Sequence, residues 1–396
     1  MSLSKKYLSI EASPTLAIDS KFKAMKAEGV DVVGFGAGEP DYDTPMHIKA
    51  AAIKAIEEGF TKYTPASGTI QLKQAICKKL LNENGLTYKP SQIVVSNGAK
   101  HSLVNVFGTI LQPGDEVIIP TPYWVSYPEM VKLADGVPCP LVTREEDGFK
   151  FTADQFESAI TEKTKALILN SPSNPTGMVY TREELLEIAK VAVKHNIYVV
   201  SDEIYEHLIY EGERVSIASF GEDIKKLTIM VNGLSKTYAM TGWRIGYTAS
   251  SEEIARVMSN VQSHATSNPN SIAQYAAVTA LEGGLGFVDE MKVEYKRRRD
   301  YMVERINSLE GVSCLKPNGA FYVMMNIKPL LSKTICGYKI NSANDFATAL
   351  LEKARVALVP CEGFAADGYL RWSYATSMEN IVRGLDRLEA FLKGEF

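Results

Sequence analysis

The sequence lacks long apolar runs, clustered cysteines and an excess of basic residues, and each absence excludes a class of protein. A membrane-spanning helix needs roughly 20 predominantly apolar residues, and no run of that length occurs among the 396 residues. The formal net charge is −4, which provides no basic surface for nucleic acid. The first residues, MSLSKKYLSIEAS, contain neither a long apolar core nor a small-residue cleavage site, so we expect no secretory signal.

The cysteines are few, odd in number and scattered: Cys77, Cys139, Cys314, Cys336 and Cys361. No C-x-x-C pair and no cluster of cysteine with histidine occurs, so the sequence favours neither a disulfide framework nor a zinc site. We therefore expect no bound metal and a location in a reducing compartment, the cytoplasm.

What is present is an ordinary globular composition, with 45% hydrophobic and 23% charged residues, in a chain long enough for two or more domains. Short apolar runs alternate with amphipathic segments through the middle of the sequence. The runs predicted as strands are 92–96, 115–120, 165–170, 197–203, 226–232 and 245–249. A helix is predicted over 99–111, and T-R-E-E at 181–184 predicts another, with Thr181 as its N-cap. This alternation predicts an α/β domain whose mostly parallel sheet is covered by helices on both faces.

The last third of the sequence has a different pattern. A long charged helix is predicted near 287–309, followed by short strands, a helix near 342–354 and a final helix. This pattern predicts a smaller α+β domain. The N-terminal residues are expected to contain one helix at most and to pack with this second domain. We therefore predict a large domain over 46–286, and a second unit made of 1–45 and 287–396.

Polar and aromatic residues follow five of the predicted strands. In open parallel sheets, ligands bind at the carboxyl ends of the strands, so these residues should meet in one crevice. Each motif alone is typical of a turn, a helix cap, a core residue or a surface charge. Together they supply an amine, a carboxylate, phosphate donors at a helix start and a flat aromatic partner, which is what pyridoxal phosphate needs. The five strand-end segments are SNGAK at 96–100, TPYW at 121–124, NSPSNPTG at 170–177, SDEIY at 201–205 and NGLSK at 232–236. Without a family resemblance, these segments indicate no more than a site for a phosphate-containing cofactor.

The segment GLSKTYAMTGWRIG at 233–246 resembles the cofactor-lysine signature of the class I and II aminotransferases across its whole length. NPTG at 174–177 and SDEIY at 201–205 resemble the asparagine turn and the aspartate–tyrosine strand end of that family. Arg371, in LRWSYA, resembles its substrate-carboxylate arginine. The order and spacing agree, and the resemblance extends from about Gly38 to the C-terminus. It implies the type I fold of pyridoxal-phosphate-dependent transferases.

The resemblance also implies a role for each matching residue. Lys236 is expected to bind the cofactor covalently and to move the proton of the substrate, since a partly desolvated amine can act as both nucleophile and base. Asp202 is expected to pair with the ring nitrogen. Tyr205 and Asn174 are expected to hydrogen-bond the ring oxygen, and Trp124 to stack on the ring.

The cofactor phosphate is expected to bind at the start of the predicted helix over 99–111. Its donors would be Gly98, Ala99, Ser235 and Arg244, together with the adjacent Lys100. Tyr63 matches the family position that reaches the phosphate of the neighbouring subunit. The resemblance therefore implies a homodimer with shared active sites.

The substrate is expected to bind through its carboxylates. The resemblance implies that Arg371 pairs with the α-carboxylate, assisted by Asn174, Trp124 and the backbone of Gly38. GEPD at 38–41 and PYWVSYP at 122–128 are closest to the bacterial and archaeal aspartate or aspartate/prephenate branch of the family. In that branch the candidates for a distal carboxylate are Lys100, Ser13 and Thr15. No unambiguous second arginine is present, which leaves aromatic and neutral substrates open.

The resulting expectation is an aminotransferase that moves the amino group of an L-amino acid, aspartate above others, to 2-oxoglutarate in ping-pong half-reactions. The N-terminal segment would close over the substrate. Alternatives on the same fold are an aminotransferase for aromatic, prephenate-type or neutral substrates, a C–S β-lyase and a cyclopropane-carboxylate synthase. A non-catalytic ligand sensor is the alternative of another class. We expect small-molecule substrates and neither nucleic acid nor membrane as a partner.

Overall fold

The computed structural model describes residues 3–11 and 15–396, with side chains from residue 20 onward in the second range. Its helices are α1 Lys5–Leu8, α2 Thr15–Ala27, α3 Met46–Glu57, α4 Ile70–Asn84, α5 Ala99–Ile110, α6 Ser126–Leu133, α7 Ala153–Ser158, α8 Arg182–His195, α9 Glu222–Leu227, α10 Glu252–Ala265, α11 Ser271–Glu282, α12 Gly286–Asn307, α13 Ala343–Ala354 and α14 Met378–Leu392. Its strands are β1 Val33–Gly34, β2 Ile93–Asn97, β3 Glu116–Pro120, β4 Val137–Leu141, β5 Thr164–Asn170, β6 Tyr198–Asp202, β7 Thr228–Gly233, β8 Ile245–Ala249, β9 Ser313–Cys314, β10 Tyr322–Asn326, β11 Thr334–Ile335, β12 Tyr338–Lys339, β13 Val356–Ala357, β14 Val359–Pro360 and β15 Tyr369–Ser373.

The central feature is a 7-stranded sheet in the order β2-β8-β7-β6-β5-β3-β4. Its neighbouring strands are parallel except at β8, which is antiparallel to both β2 and β7. The predicted α/β fold with a mostly parallel sheet is therefore confirmed. Because β8 runs in the opposite direction, its first residue lies at the edge where β2 and β7 end. Ile245 pairs with Asn97, and Gly246 pairs with Gly233.

Helices cover both faces of this sheet. Successive strand residues point to opposite sides, so neighbouring residues of one strand pack against different helices. Ile168 packs in one apolar cluster with residues of α5 and α10, whereas its neighbour Leu167 packs in another with residues of α7 and α8. All six residues of β7 are buried. The near-continuous apolar runs of the sequence correspond to strands buried on both faces, as expected for parallel sheets.

The second group of elements is built on a 4-stranded antiparallel sheet in the order β14-β15-β10-β9. Helices α12 and α13 pack against this sheet, and α14 packs against both helices. Arg371 lies on β15, where it pairs with Met324 on β10 and Val359 on β14. This arrangement agrees with a smaller α+β unit. The boundaries at residues 46 and 287 stay a prediction.

The N-terminal segment differs from expectation. It contains two helices instead of at most one, although α1 has only four residues. Helix α2 packs against β13 and β14 of the second group, as predicted. Helix α1 instead contacts α6, which flanks the large sheet, and Lys6 pairs with Asp135 there at 2.8 Å. The segment therefore contacts both groups of elements.

Two further differences have local causes. Strand β4 was not predicted because its sequence contains Pro138 and Pro140, and it lies at the edge of the sheet, where missing N–H groups are tolerated. Strand β7 begins at Thr228 because Lys226 and Leu227 complete α9.

The capping box of α8 is confirmed: Thr181 accepts from Glu184 N, and Glu184 accepts from Thr181 N at 2.7 Å. No helix in the described part of the chain combines the length and apolarity that a membrane crossing requires.

Candidate active site

A cavity of about 630 Å³ opens where the central sheet meets the second group of elements. It lies at the carboxyl ends of the parallel strands, as the sequence predicted. Most of the predicted site residues line it, namely Gly38, Ala99, Lys100, Trp124, Asn174, Asp202, Tyr205, Ser235, Lys236, Arg244 and Arg371. These residues come from both groups of elements, so the cavity requires both of them.

Lys236 lies three residues beyond the end of β7 and is half-buried. Its Nζ donates a hydrogen bond to the carbonyl of Gly38 and lies 5.9 Å from the ring centre of Phe321. Burial lowers the pKa of this amine to about 8, because a desolvated ammonium loses hydration. The charges of Arg371 and Arg244 add to this shift, whereas the carboxylate of Glu39 opposes it.

Asp202 is the last residue of β6 and is 3% exposed. Tyr127 donates to its Oδ2 at 2.7 Å, and the backbone N–H of Ile204 donates to its Oδ1 at 3.3 Å. Burial raises the pKa of Asp202 to about 6, although both hydrogen bonds oppose the shift. At neutral pH the carboxylate is therefore predominantly ionised and can pair with a protonated group in the cavity.

Tyr205 reaches the cavity from the segment after β6 and is buried. Its hydroxyl lies 2.9 Å from the hydroxyl of Tyr322 on β10, and either oxygen can be the donor. Burial raises the pKa of Tyr205 well above its ordinary value. Burial also raises the pKa of Tyr322, so both phenols keep their protons at neutral pH. One hydroxyl donates to the other, and the second can donate to an anionic oxygen.

Arg371 is fixed from three sides while 5% of its surface is exposed. Its Nη1 donates to Oδ1 of Asn174 at 3.0 Å, and its Nη2 donates to the carbonyl of Gly36 at 3.1 Å. The guanidinium lies 4.5 Å from the ring centre of Tyr322 and 5.1 Å from that of Phe364. No carboxylate among the described residues pairs with it, and its buried Nε has no partner there. A buried arginine without a carboxylate can bind the carboxylate of a ligand.

Arg244 and the start of α5 form a group of donors at one end of the cavity. Gly98 precedes the helix with φ 86°, and a Cβ added there would overlap the Arg244 guanidinium. Arg244 itself donates to the carbonyls of Thr241 at 2.9 Å and Asn97 at 3.2 Å. The first N–H groups of a helix have no partner within the helix. These N–H groups, the guanidinium and the nearby Ser235 together suit an anion.

Trp124 and Lys100 form the wall beside this anion site. The Lys100 Nζ lies 4.8 Å from the ring centre of Trp124, whose ring packs edge-on against Tyr127 at 5.4 Å. Burial and the charge of Arg244 lower the pKa of Lys100 below its ordinary value. The exposed part of Lys100 faces the cavity, so it is available to a second anionic group.

Four predicted residues are not among the described residues that line the cavity. Gly98 lies just outside it, beside the Arg244 guanidinium. Tyr63 is 92% exposed and does not line it. Ser13 lies outside the described residues, and Thr15 is described only as the first residue of α2. Gly38 lines the cavity, but its carbonyl accepts from Lys236, whereas Arg371 donates to the carbonyl of Gly36.

Sequence reasoning missed four residues that hold this arrangement. Tyr127 lies in the PYWVSYP motif but could not be told from a core aromatic. Asn170 holds the turn of Asn174, because its Oδ1 accepts from Asn174 N at 2.8 Å. Tyr322 and Gly36 carried no signal, since strand periodicity alone does not reveal which face borders a cavity formed by distant elements.

Known proteins match both the sequence and the fold. The chain belongs to the family of class I and II aminotransferases, whose family model matches residues 30–388. The aspartate aminotransferase of Bacillus sp. (strain YM-2) is 50% identical over 392 residues, which cover 99% of each chain. The aspartate/prephenate aminotransferase of Nitrosomonas europaea is 45% identical over 396 residues, covering 99% of this chain and 100% of its own.

Two solved structures share the whole fold. The aspartate aminotransferase from Rhizobium meliloti superimposes with a TM-score of 0.96 at 43% identity, covering 100% of this chain and 99% of its own. The aspartate aminotransferase from Thermus thermophilus with maleate gives 0.93 at 44% identity, covering 99% and 100%. The predicted family and fold are thereby confirmed, and the protein is an aminotransferase.

Proposed function

We propose that this aminotransferase uses pyridoxal phosphate to move the amino group of aspartate to 2-oxoglutarate. The observation that carries the proposal is the convergence of Lys236, Asp202 and Arg371 on one cavity. An amine, a carboxylate and an unpaired guanidinium are the groups that a cofactor aldehyde, a ring nitrogen and an amino-acid carboxylate require. The names of the relatives at 50% and 48% identity, both aspartate aminotransferases, support the substrate.

The residues present fit this cofactor. The start of α5, Arg244 and Ser235 form an anion site that has room only because residue 98 is glycine. Trp124 offers an aromatic face, and Asp202 lies buried beyond it. Tyr205 and Asn174 would hold the ring oxygen. These groups have the charges and donors for a phosphate, a ring nitrogen and a phenolic oxygen, and Lys236 would bind the cofactor covalently.

When bound, pyridoxal phosphate supplies an electron sink that makes the Cα proton of an amino acid removable. Asp202, ionised above about pH 6, would keep the proton on the ring nitrogen. The Lys236 amine, with its pKa lowered to about 8, would be the base that takes the proton from Cα of the substrate. Such a pKa suits a base at neutral pH. Arg371 and Asn174 hold the α-carboxylate and orient the Cα–H bond toward Lys236.

The distal carboxylate of aspartate would bind Lys100, with Ser13 and Thr15 as further candidates on the N-terminal segment. The Thermus thermophilus neighbour is described with maleate, a dicarboxylate, which supports an acidic substrate. The aspartate/prephenate relative keeps a prephenate-type substrate as the second candidate.

We also infer a homodimer in which Tyr63 reaches the cofactor phosphate of the neighbouring subunit. The scattered cysteines support a place in the reducing cytoplasm, and we retain 46–286 as the large domain.

The test is an absorbance spectrum of the purified protein loaded with pyridoxal phosphate. We expect aspartate to convert the band of the bound aldehyde form to that of the amine form, and 2-oxoglutarate to restore it with release of glutamate. Lys236→Ala should fold but lack both the covalent band and turnover. A response only to phenylalanine or alanine would change the substrate. Product formation without any need for a 2-oxo acid would favour a lyase, and turnover by Lys236→Ala would contradict the proposal.

A further inference from the structure

A cluster of charged and polar side chains lies buried behind the strand ends that carry Asp202 and Lys236. Its members Lys79, Glu206, His207, Asn232 and Thr237 are each more than nine-tenths buried. None of these five residues lines the cavity. They come from α4, from the segment after β6, and from the end of β7 with the turn that follows it. The cluster therefore joins three parts of the chain directly beneath the site.

One chain of hydrogen bonds in this cluster ends beside the cofactor lysine. His207 Nε2 lies 2.8 Å from Oε2 of Glu83 on α4, and its Nδ1 lies 3.2 Å from Oγ1 of Thr237. Thr237 directly follows Lys236 in the sequence. Glu83 is itself held by Arg214, whose Nη2 donates to its carbonyl at 2.9 Å and whose Nη1 donates to its Oε2 at 3.3 Å.

The ionisation of Glu83 determines which nitrogen of the His207 imidazole carries a proton. Although burial opposes ionisation, the hydrogen bond from His207 and the charge of Lys79 lower the pKa of Glu83 below its ordinary value. An ionised carboxylate can only accept, so Nε2 of His207 carries a proton. The other nitrogen, Nδ1, bonds the Thr237 hydroxyl, which donates to a neutral imidazole and accepts from a charged one. In either form the ring is held between α4 and the lysine turn.

A second connection in the cluster holds the end of β7. Glu206 forms a buried ion pair with Lys79, and its Oε1 accepts from Asn232 Nδ2 at 2.5 Å. Asn232 in turn accepts from the backbone N–H of Gly233 at 2.7 Å through its Oδ1. The strand before Lys236 and the residue after it are therefore both attached to neighbouring side chains of the β6 segment, Glu206 and His207.

Stability alone is a weak reason for such a cluster, because desolvation of a buried ion pair offsets much of its attraction, and apolar residues of equal volume can be as stable. Directional hydrogen bonds, by contrast, fix orientation. We propose that His207, held by Glu83, is a positioning residue that orients Lys236 through the hydroxyl of Thr237. This role rests on the proposed function, because orientation of Lys236 matters only if its amine carries the cofactor and moves the proton.

The decisive substitution is Thr237→Val, which removes the hydroxyl and keeps the shape of the side chain. Thr237→Ser keeps the hydroxyl and serves as the rescue. The matched control is Thr228→Val at the opposite end of β7. Thr228 is also fully buried, and its hydroxyl donates to the carbonyl of Ile224 at 2.8 Å, remote from the lysine turn.

In cofactor-loaded enzyme, we expect Thr237→Val to lower kcat about tenfold while the KM for aspartate changes less than about threefold, because misorientation affects the reacting amine and leaves Arg371 intact. Thr237→Ser should recover most of kcat, and Thr228→Val should retain it. Equal kcat in both valine variants would overturn the positioning role. Absence of turnover in the unmodified enzyme would overturn the proposed function and this role with it.

A measurement on the cofactor-free protein provides a second readout. The N–H groups of Tyr238 and Met240 donate to the carbonyls of Leu234 and Ser235 at 3.1 and 3.2 Å and so close the lysine turn. Hydrogen exchange at these two amides should be at least about tenfold faster in Thr237→Val than in Thr228→Val. Unchanged exchange in Thr237→Val would show that the turn does not depend on the hydrogen bond between His207 and Thr237, and would overturn the proposal.

Discussion

Burial changes the ionisation of the two titratable residues on which the proposed chemistry depends. The pKa of Asp202 rises to about 6, and that of Lys236 falls to about 8. Between these values the carboxylate is charged, and above the higher one the amine is predominantly neutral. The same physical cause, loss of hydration, therefore moves an acid and a base toward neutral pH from opposite directions.

The lowered pKa of Lys236 can be measured in the cofactor-free protein. We expect its rate of acylation, followed by mass spectrometry, to rise with pH through a midpoint of about 8, whereas an unperturbed lysine has a midpoint near 10.4. Glu39→Gln should lower the midpoint further, because the Glu39 carboxylate stabilises the ammonium. A midpoint equal to that of lysine in a short peptide would contradict the inferred desolvation.

The proposed role of Lys100 is to bind the distal carboxylate of an acidic substrate. We expect Lys100→Gln to raise the KM for aspartate about tenfold or more, since a charge-assisted hydrogen bond to the distal carboxylate is lost. The KM for phenylalanine should change little, because phenylalanine lacks that carboxylate. Lys54→Gln on α3, an exposed surface lysine, is the control. An equal rise in both KM values would assign Lys100 to the cofactor instead of the substrate.

At the scale of elements, the antiparallel strand β8 determines the anion site. It begins at the edge where β2 and β7 end, so Arg244, just before it, lies beside Gly98 at the start of α5. Gly98 provides the positive φ and the space that this approach requires. The start of β8 therefore lies close to the start of α5, and this brings the Arg244 guanidinium to the free N–H groups of that helix.

Gly98→Ala tests this approach. The added Cβ would displace the Arg244 guanidinium, so we expect the affinity for pyridoxal phosphate to fall about tenfold, as when a charged hydrogen bond is lost. Titration of cofactor-free protein, followed by absorbance, measures this change. Gly114→Ala is matched, since Gly114 has φ 90° but no atom within 4 Å of an added Cβ. Both variants lose some stability, and equal cofactor affinity in the two would exclude the steric argument.

Elements with strong local signals were predictable from the sequence, and those without them were not. Helix α8 carries a capping box, and β5, β6 and β7 are apolar runs bounded by polar strand ends. Strand β4 has prolines, and the brief helix α1 has no apolar periodicity, so both depend on their neighbours. The tyrosine pair of Tyr205 and Tyr322 joins residues 117 positions apart, which no local pattern reports.

At the scale of the whole molecule, the site combines parts of the chain that are far apart in sequence. Arg371 on β15 hydrogen-bonds Asn174 after β5 and Gly36 near the N-terminus. The strand-end rule predicts the side of the sheet that contributes Asp202 and Lys236. It cannot predict the approach of β15 and β10, because their position depends on packing between two groups of elements. The family resemblance therefore supplied Arg371, and nothing supplied Tyr322.

Tyr63 provides the test of the proposed shared site, since it is 92% exposed on the single chain. A purified hybrid of one Tyr63→Ala chain and one Lys236→Ala chain would contain one site with both residues intact if Tyr63 acts across the dimer. We expect about half of the unmodified activity in that hybrid, one site of two, at a cofactor concentration too low to load Tyr63→Ala alone. The control hybrid pairs Tyr63→Ala with a chain carrying both substitutions, and it should remain inactive. Equal inactivity of the two hybrids would show that Tyr63 does not complete its neighbour's site.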